Sequence, residues 1–426
     1  MVYSHDAFGL GNIRRMLAIC DYLLETIPGL SILVLSGSPA LHSLRLPKGL
    51  DYIKLPCISR DQTGDIGVTF LDTSLEETVN LRADLILSTI QTFQPDVFLV
   101  DKKPNGLLQE LQPTLNFLEQ SAHSSTAFST QLVLLLRDIL DTPEATQRQW
   151  QRHNYVELID QHYAEVWVAG TQNIFDVTQE YQFPEAIAQK THFCGYIRRK
   201  SGQSSATSIR QRMHLEQEDK LVLVTAGGGG DGDRLIMTYL DMIGKRTTPQ
   251  DVKSLIVCGY EMPTDQRDRV HEAAANHSEV TSGVTSRVTV LDFSDDLVSL
   301  MGAADVVVSM GGYNTVCEIL SLQKRAVVVP RIHPVQEQWI RAEQMRKGQL
   351  FDVIHPYDLS PATLATAIHK QLRLPTSSPI SEIDMNALPR IAQRLMALML
   401  NHHASSSIPN CYIPPVKSNC VAIATS

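Results

Sequence analysis

No stretch of this 426-residue chain is apolar for long enough to cross a bilayer. The longest candidates, such as QLVLLLRDIL at 131–140, are strand-length and soon broken by charge. Positive charge is not in excess either. Against 37 Lys and Arg stand 46 Asp and Glu, a formal net charge of −9. That argues against a nucleic-acid binder working by bulk positive field, because phosphate affinity needs clustered cations, although a local basic patch stays compatible. Cysteine is sparse and odd in number, seven residues at 20, 57, 194, 258, 317, 411 and 420, with no CxxC or Cys/His ligand spacing. Reduced thiols are expected, not a disulfide or zinc framework. The first residues, MVYSHDAFGLGNIRR, lack the basic start and apolar core of a signal peptide, and the expected location is cytoplasmic. No repeat with a period of 20–50 residues is visible.

What is present is alternation. Apolar, β-branched runs at 30–37, 96–101, 131–138 and 165–170 alternate with amphipathic helical patterns such as RRMLAICDYLLETI and GLLQELQPTLNFLEQ. This predicts an α/β fold with parallel sheets covered on both faces. The alternation breaks in a Ser-rich, basic segment near residue 200 and restarts with KLVLVTAGGGGDGDRLI, SLIVCG, RVTVLDF, ADVVVSMGG and RAVVVP. The expected organisation is a Rossmann-like domain over 1–195, a linker over 196–218, a second Rossmann-like domain over 219–375, a C-terminal helix within 376–402 and a flexible tail over 403–426. The closing helix carries Ile391, Leu395, Leu398 and Met399 at helical spacing. The first strand offers only Val2 and Tyr3 as apolar residues, which leaves open that sequence is missing upstream.

Two strand-to-helix turns hold more glycine than a tight turn requires. Gly227–Gly230 and Gly232 follow the first strand of the second domain, and Gly311-Gly312 lie between DVVVS and a helix carrying one acid, Glu318. Bare backbone N–H groups at a helix start can point at an anion, which the helix dipole favours. There is no Lys-Ser/Thr of a P-loop and no clean GxGxxG. Gly9 and Gly11 repeat the arrangement in the first domain, with Arg14 and Arg15 in the next helix. Two such rims predict a ligand held in the cleft between domains.

The segment GGYNTVCEI…RAVVVPRIHPVQEQWIRAEQM resembles the C-terminal domain of family 28 glycosyltransferases, of GT-B architecture, and the resemblance spans roughly 194–354. The first domain matches more loosely, through AFGLGNIRR; the whole chain also resembles a group of bacterial glycosyltransferases. The resemblance implies an acceptor domain first, a donor domain second and a C-terminal crossover helix. It implies that Glu318 receives the ribose hydroxyls, and that Gly311, Gly312, Tyr313, Asn314 and Thr315 form the diphosphate turn. Gly228, Gly229, Gly230 and Asp231 would belong to a phosphate loop, and Arg199 would face phosphate. Phe293, Ser294 and Leu297 would receive uracil; Glu337 and Gln338 would meet sugar hydroxyls.

The activity so implied is inverting transfer of a sugar from a UDP-sugar, such as UDP-N-acetylglucosamine, to a hydroxyl of an acceptor that is a small molecule, a polysaccharide or lipid-linked. No cofactor beyond the UDP-sugar co-substrate and no metal is expected, since Arg199 and backbone amides can carry the leaving-group charge and no DxD-like sequence reads as a metal site. The base is open. Where related enzymes place a His, this chain has Asn12; His5, Asp6 and Asp101 are the nearest substitutes, and each acid could instead be a cap. Gly230 stands for a hydroxyl-bearing residue and Glu337 for an amide. Two alternatives remain: a UDP-sugar 2-epimerase or hydrolase recruiting His333 and His355, and a non-catalytic nucleotide-sugar binder. Leu44, Leu46 and Leu50 beside Arg45, Lys48 and Lys54 could make a peripheral contact at the inner membrane face, or form a solvated loop with one packed edge.

Overall fold

A computed structural model describes residues 1–5, 11–39, 41, 46–60, 66–122, 129–245, 252–276, 287–374 and 383–405. The first domain is built on β1 (Val2–Ser4), β2 (Ile32–Ser36), β3 (Leu50–Lys54), β6 (Val97–Asp101), β7 (Gln131–Arg137), β8 (Tyr163–Ala169) and β9 (Thr191–Phe193). These pair in parallel in the order β3-β2-β1-β6-β7-β8-β9. A separate antiparallel hairpin joins β4 (Ile58–Arg60) and β5 (Ile66–Val68). The first-domain helices are α1 (Gly11–Thr26), α2 (Leu75–Phe93), α3 (Gln112–Ala122), α4 (Pro143–Arg152), α5 (Tyr155–His162), α6 (Val177–Glu180) and α7 (Glu185–Gln189). β6 is buried along its whole length, as a central strand covered on both faces must be.

After α8 (Ala206–Arg212), the second domain comprises β10 (Lys220–Thr225), α9 (Asp233–Gly244), β11 (Val252–Val257), α10 (Thr264–Ala275), β12 (Val288–Leu291), α11 (Leu297–Ala303), β13 (Val306–Ser309), α12 (Tyr313–Ser321), β14 (Arg325–Val328), α13 (Glu337–Lys347), β15 (Asp352–Val353) and α14 (Pro361–Arg373). Its sheet is parallel in the order β12-β11-β10-β13-β14-β15. The chain has the two parallel α/β domains expected from the alternation, in the GT-B arrangement that the resemblance implies. Strand order reverses between β1 and β6 in one sheet and between β10 and β13 in the other, and ligands collect at the carboxyl ends of strands at such points. His5 follows β1, Asp101 ends β6, and the Gly227–Gly230 loop and the Gly311-Gly312 turn follow β10 and β13.

Two local expectations change. The segment expected as a linker contains α8, which Ser205 caps by accepting from Ser208 N, while Ile209 is buried in the core. The helix expected to start at Gly106 instead begins as a short 3₁₀ turn at Leu107–Gln109, broken by left-handed Leu108 and Gln109. α3 then starts at Gln112, with Pro113 in its first turn, where a missing N–H costs nothing. Of the expected tail, 403–405 belong to the C-terminal helix and the rest lies outside the described residues.

α15 (Ala387–Ser405) crosses back to the first domain and packs on α1 and β6. Ile391, Leu395 and Leu398 join the core there. Arg394 grips Glu165 with two hydrogen bonds of 2.7 Å, and Arg390 donates to the Cys194 carbonyl at 2.8 Å. A second tie runs through the cleft, where Arg341 donates from Nε and Nη2 to both Asp138 oxygens at 2.7 Å, all fully buried. Tyr196 adds a hydrogen bond of 3.0 Å to Asp138, and Arg341 also reaches the Gly311 carbonyl at 3.0 Å. Of the leucines considered for membrane contact, Leu50 is buried and Leu46 packs against the same core, so their faces are turned inward. Leu44 and Arg45 lie outside the described residues, while Lys48 and Lys54 are exposed.

Candidate functional site

The glycines at 311 and 312 divide their work. A Cβ at Gly311 would stand 3.2 Å from the Gln338 carbonyl and from Pro330, so that glycine lets α13 approach. A Cβ at Gly312 would meet nothing within 4 Å. Gly312 is the N-cap of α12 and offers no side-chain capping bond, so the first N–H groups of the helix face open space. Thr315 lies in that first turn, with its hydroxyl 3.5 Å from where a Cβ of Gly227 would be. The two glycine turns therefore face each other. In the first loop Gly227 and Gly229 are left-handed, and a Cβ on Gly229 would strike the Cys258 carbonyl at 2.6 Å.

Glu318 lies within α12 and is buried, with Arg14 of the first domain 3.8 Å from its carboxylate. Burial raises its pKa, and Arg14 and Arg199 oppose the rise. Arg199 is anchored by its backbone N–H on the Ser321 hydroxyl at 2.8 Å and donates through Nη2 to the Asn314 side chain at 2.6 Å. Its Nε is buried without a partner. Asn314 in turn donates to the Gly11 carbonyl at 2.8 Å and so joins the two domains. Asp231 faces Arg331 at 3.3 Å, and Gly228 and Gly230 are exposed in the same loop.

Other expected contacts are placed differently. The Tyr313 ring is 4% exposed, lies between the guanidinium groups of Arg15 and Arg341 and stacks on Tyr196, so it serves the domain junction and only its backbone belongs to the turn. Leu297 is buried in the core and can offer a base only its backbone. Ser294 accepts from Asp296 N at 3.2 Å. Phe293 is exposed and meets Tyr260 edge-on at 6.0 Å. Tyr260 and Glu261 were missed by sequence reasoning; the strand-end Gly259 of CGYE was the available signal. Gly259 packs on the loop, and a Cβ at Gly228 would lie 2.9 Å from the Glu261 carboxylate. Burial, then Asp231, raises the pKa of Glu261.

Glu337 and Gln338 open α13. Gln338 accepts from Arg331 N at 3.1 Å. Glu337 pairs across the cleft with Arg137, at the end of β7, at 2.7 Å. Burial alone would raise its pKa; Arg137, then Arg341 and Lys102, outweigh that and hold it at about 2.

On the first-domain rim, His5 follows β1. It is buried, its Nδ1 has no partner, and burial followed by the charges of Lys103, Lys102, Arg82 and Arg137 pushes its pKa well below the usual range. Asp101 is fully buried and paired with Arg15 at 2.5 Å. Asn12 donates to the His5 carbonyl and accepts from Arg15 at 3.3 Å, so both ends of its amide are engaged. Asp6 lies outside the described residues. His333 is exposed, and His355 lies edge-on to Trp339 at 4.6 Å; neither joins this group. No group of three or more metal-ligating side chains occurs among the described residues.

Residues 221–395 match the glycosyltransferase family 28 C-terminal domain. The second domain is thus family 28-like. Its relatives include the UDP-N-acetylglucosamine–N-acetylmuramyl-(pentapeptide) pyrophosphoryl-undecaprenol N-acetylglucosamine transferase of Clostridioides difficile (strain 630), 24% identical over 193 residues, covering 45% of this chain and 44% of that protein. A glycosyltransferase of Methanopyrus kandleri is 26% identical over 166 residues, covering 39% and 42%. The match thus spans less than half the length of each relative. Among solved structures, Acinetobacter baumannii MurG superposes with a TM-score of 0.57 at 12% identity, covering 93% of this chain and 98% of that one. UDP-GlcNAc 2-epimerase from Methanocaldococcus jannaschii gives 0.60 at 11% identity with the same coverages. At such identities the likeness concerns the fold of this family 28-like protein, not its reaction.

Proposed function

We propose that this family 28-like protein is an inverting glycosyltransferase that moves a sugar from a UDP-sugar to an acceptor hydroxyl presented by the first domain. UDP-N-acetylglucosamine is a candidate donor, as the name of the C. difficile relative suggests. The observation that carries the proposal is the open start of α12 at Gly312, facing a second glycine turn, with buried Glu318 and Arg199 beside it. Free N–H groups and a guanidinium suit a diphosphate, and a buried carboxylate suits a pair of ribose hydroxyls. Phe293 and Tyr260 offer an aromatic edge to a base.

Transfer needs charge on the leaving UDP to be stabilised, the acceptor to be deprotonated and both substrates to be aligned. Arg199 and the two turns serve the first task without a metal. His5 is the residue best placed for the second. Its imidazole is neutral, with an unpaired Nδ1, whereas Asp101 is committed to Arg15. Burial, then the surrounding cations, makes His5 a weak base; the negative charge of a bound diphosphate would raise its basicity. The acceptor is unspecified, and a lipid-linked one fits the name of that relative.

The test is product analysis with UDP-sugars in the presence of EDTA, with and without candidate acceptors. Transfer that needs an acceptor and survives EDTA supports the proposal. Release of UDP and a 2-epimeric sugar without any acceptor would replace it with the epimerase reaction.

A further inference from the structure

The first-domain rim holds cationic groups that transfer of an uncharged sugar does not use. Arg137 reaches Glu337 through Nη1, yet its Nε is buried without a partner. Lys102 follows β6 in a left-handed conformation (φ 66°), a strain that a non-glycine residue keeps only when its surroundings impose it. No ion-pair partner within 4 Å of its amine occurs among the described residues. The groups whose charges bear on Lys102 are Arg137, Glu337, Lys103 and Asp101. Withdrawal from solvent, then Arg137, lowers its pKa to about 7, as expected of an ammonium lacking a counter-ion. Asp101 is balanced by Arg15, and Lys103 has an interaction of its own. With Lys102 protonated, as a bound anion would favour, Lys102 and Arg137 stand against Glu337 with one positive charge in excess. The place is next to the donor seat, because Gln338, the neighbour of Glu337, packs on Gly311.

We propose that Lys102 and Arg137 form an oxyanion seat for a carboxylate carried by one of the two sugars that meet in the cleft, a sugar of the uronic-acid class. A carboxylate matches the single excess charge, can accept from the free Arg137 Nε–H and the Lys102 amine together, and supplies the negative charge that His5 lacks. The seat rests on the glycosyltransferase proposal for its substrates, but its charge balance stands without it.

The experiment has two arms, preceded by titration with UDP alone, whose failure to bind would count against the glycosyltransferase proposal. In the donor arm, UDP-glucuronate should bind about tenfold or more tightly than UDP-glucose, and Lys102→Met should erase that preference. In the acceptor arm, wild-type protein is briefly acetylated at pH 7.5 and read by residue-resolved mass spectrometry, with and without UDP. Methyl glucuronide, but not methyl glucoside, should slow labelling of Lys102 at least fivefold while leaving exposed Lys48 unchanged. Success in either arm supports the seat and names the sugar that carries the acid. Failure of both, or protection by inorganic phosphate but not by the glucuronide, overturns it. The labelling arm needs no variant and works without UDP, so neither misfolding nor loss of donor binding can mask the result.

Discussion

The two rims of the cleft have the same topology and opposite chemistry. On the second domain, backbone does the work: Gly312 leaves a helix start open, Gly227 and Gly229 turn a loop toward it, and one acid and one guanidinium stand by. On the first domain side chains crowd the corresponding strand ends, with His5, Asp101–Arg15, Lys102 and Arg137 in one group. The difference teaches where specificity resides. A backbone seat suits the part shared by many donors, a nucleoside diphosphate, while a rim of charged side chains selects what is particular to one reaction.

The largest expected effect concerns what holds the rims together. Asp138→Ala leaves the Arg341 guanidinium buried and unpaired, and should cost about 3–5 kcal/mol in chemical denaturation. Loss under 1 kcal/mol would mean that this tie contributes little and that the other contacts between the domains hold them. Next comes a pair that separates the glycines. Gly229→Ala, left-handed and 2.6 Å from a carbonyl, should lower stability by roughly 1–3 kcal/mol. Gly312→Ala should leave stability almost unchanged and weaken UDP, measured by melting and calorimetry together. Equal melting losses in both would place Gly312 in packing and not in a seat.

A smaller effect follows from Glu337. Its folded pKa, about 2, is below its ordinary value of 4.5, so its pairing stabilises the protein fully above about pH 4.5. That contribution is lost as pH falls from 4.5 toward 2. Glu337→Gln should flatten this part of the stability profile, and an unchanged acid limb would contradict the pairing with Arg137.

The contrast between rims also explains what the sequence revealed. Parallel sheets were legible because β6 and β7 read as unbroken apolar runs, and Glu318 because it follows a glycine pair at helix spacing. Those signals are local. α8 was hidden because Ile209 is the lone apolar anchor in a Ser-rich, basic stretch, and its helix depends on a cap and on packing against α11. The Arg341–Asp138 tie joins residues 203 positions apart, and the Arg137–Glu337 pair is likewise formed only when the domains meet. Tyr313 read as part of the turn because its neighbours are, while its ring is claimed by two arginines from distant helices.

The most direct test of the central claim is calorimetric titration of the protein and its Glu318→Ala variant with UDP. The account predicts saturable binding that the substitution weakens about tenfold or more, as expected when a buried carboxylate no longer meets two hydroxyls. Equal affinity in the two proteins, or no binding of UDP to either, would contradict it.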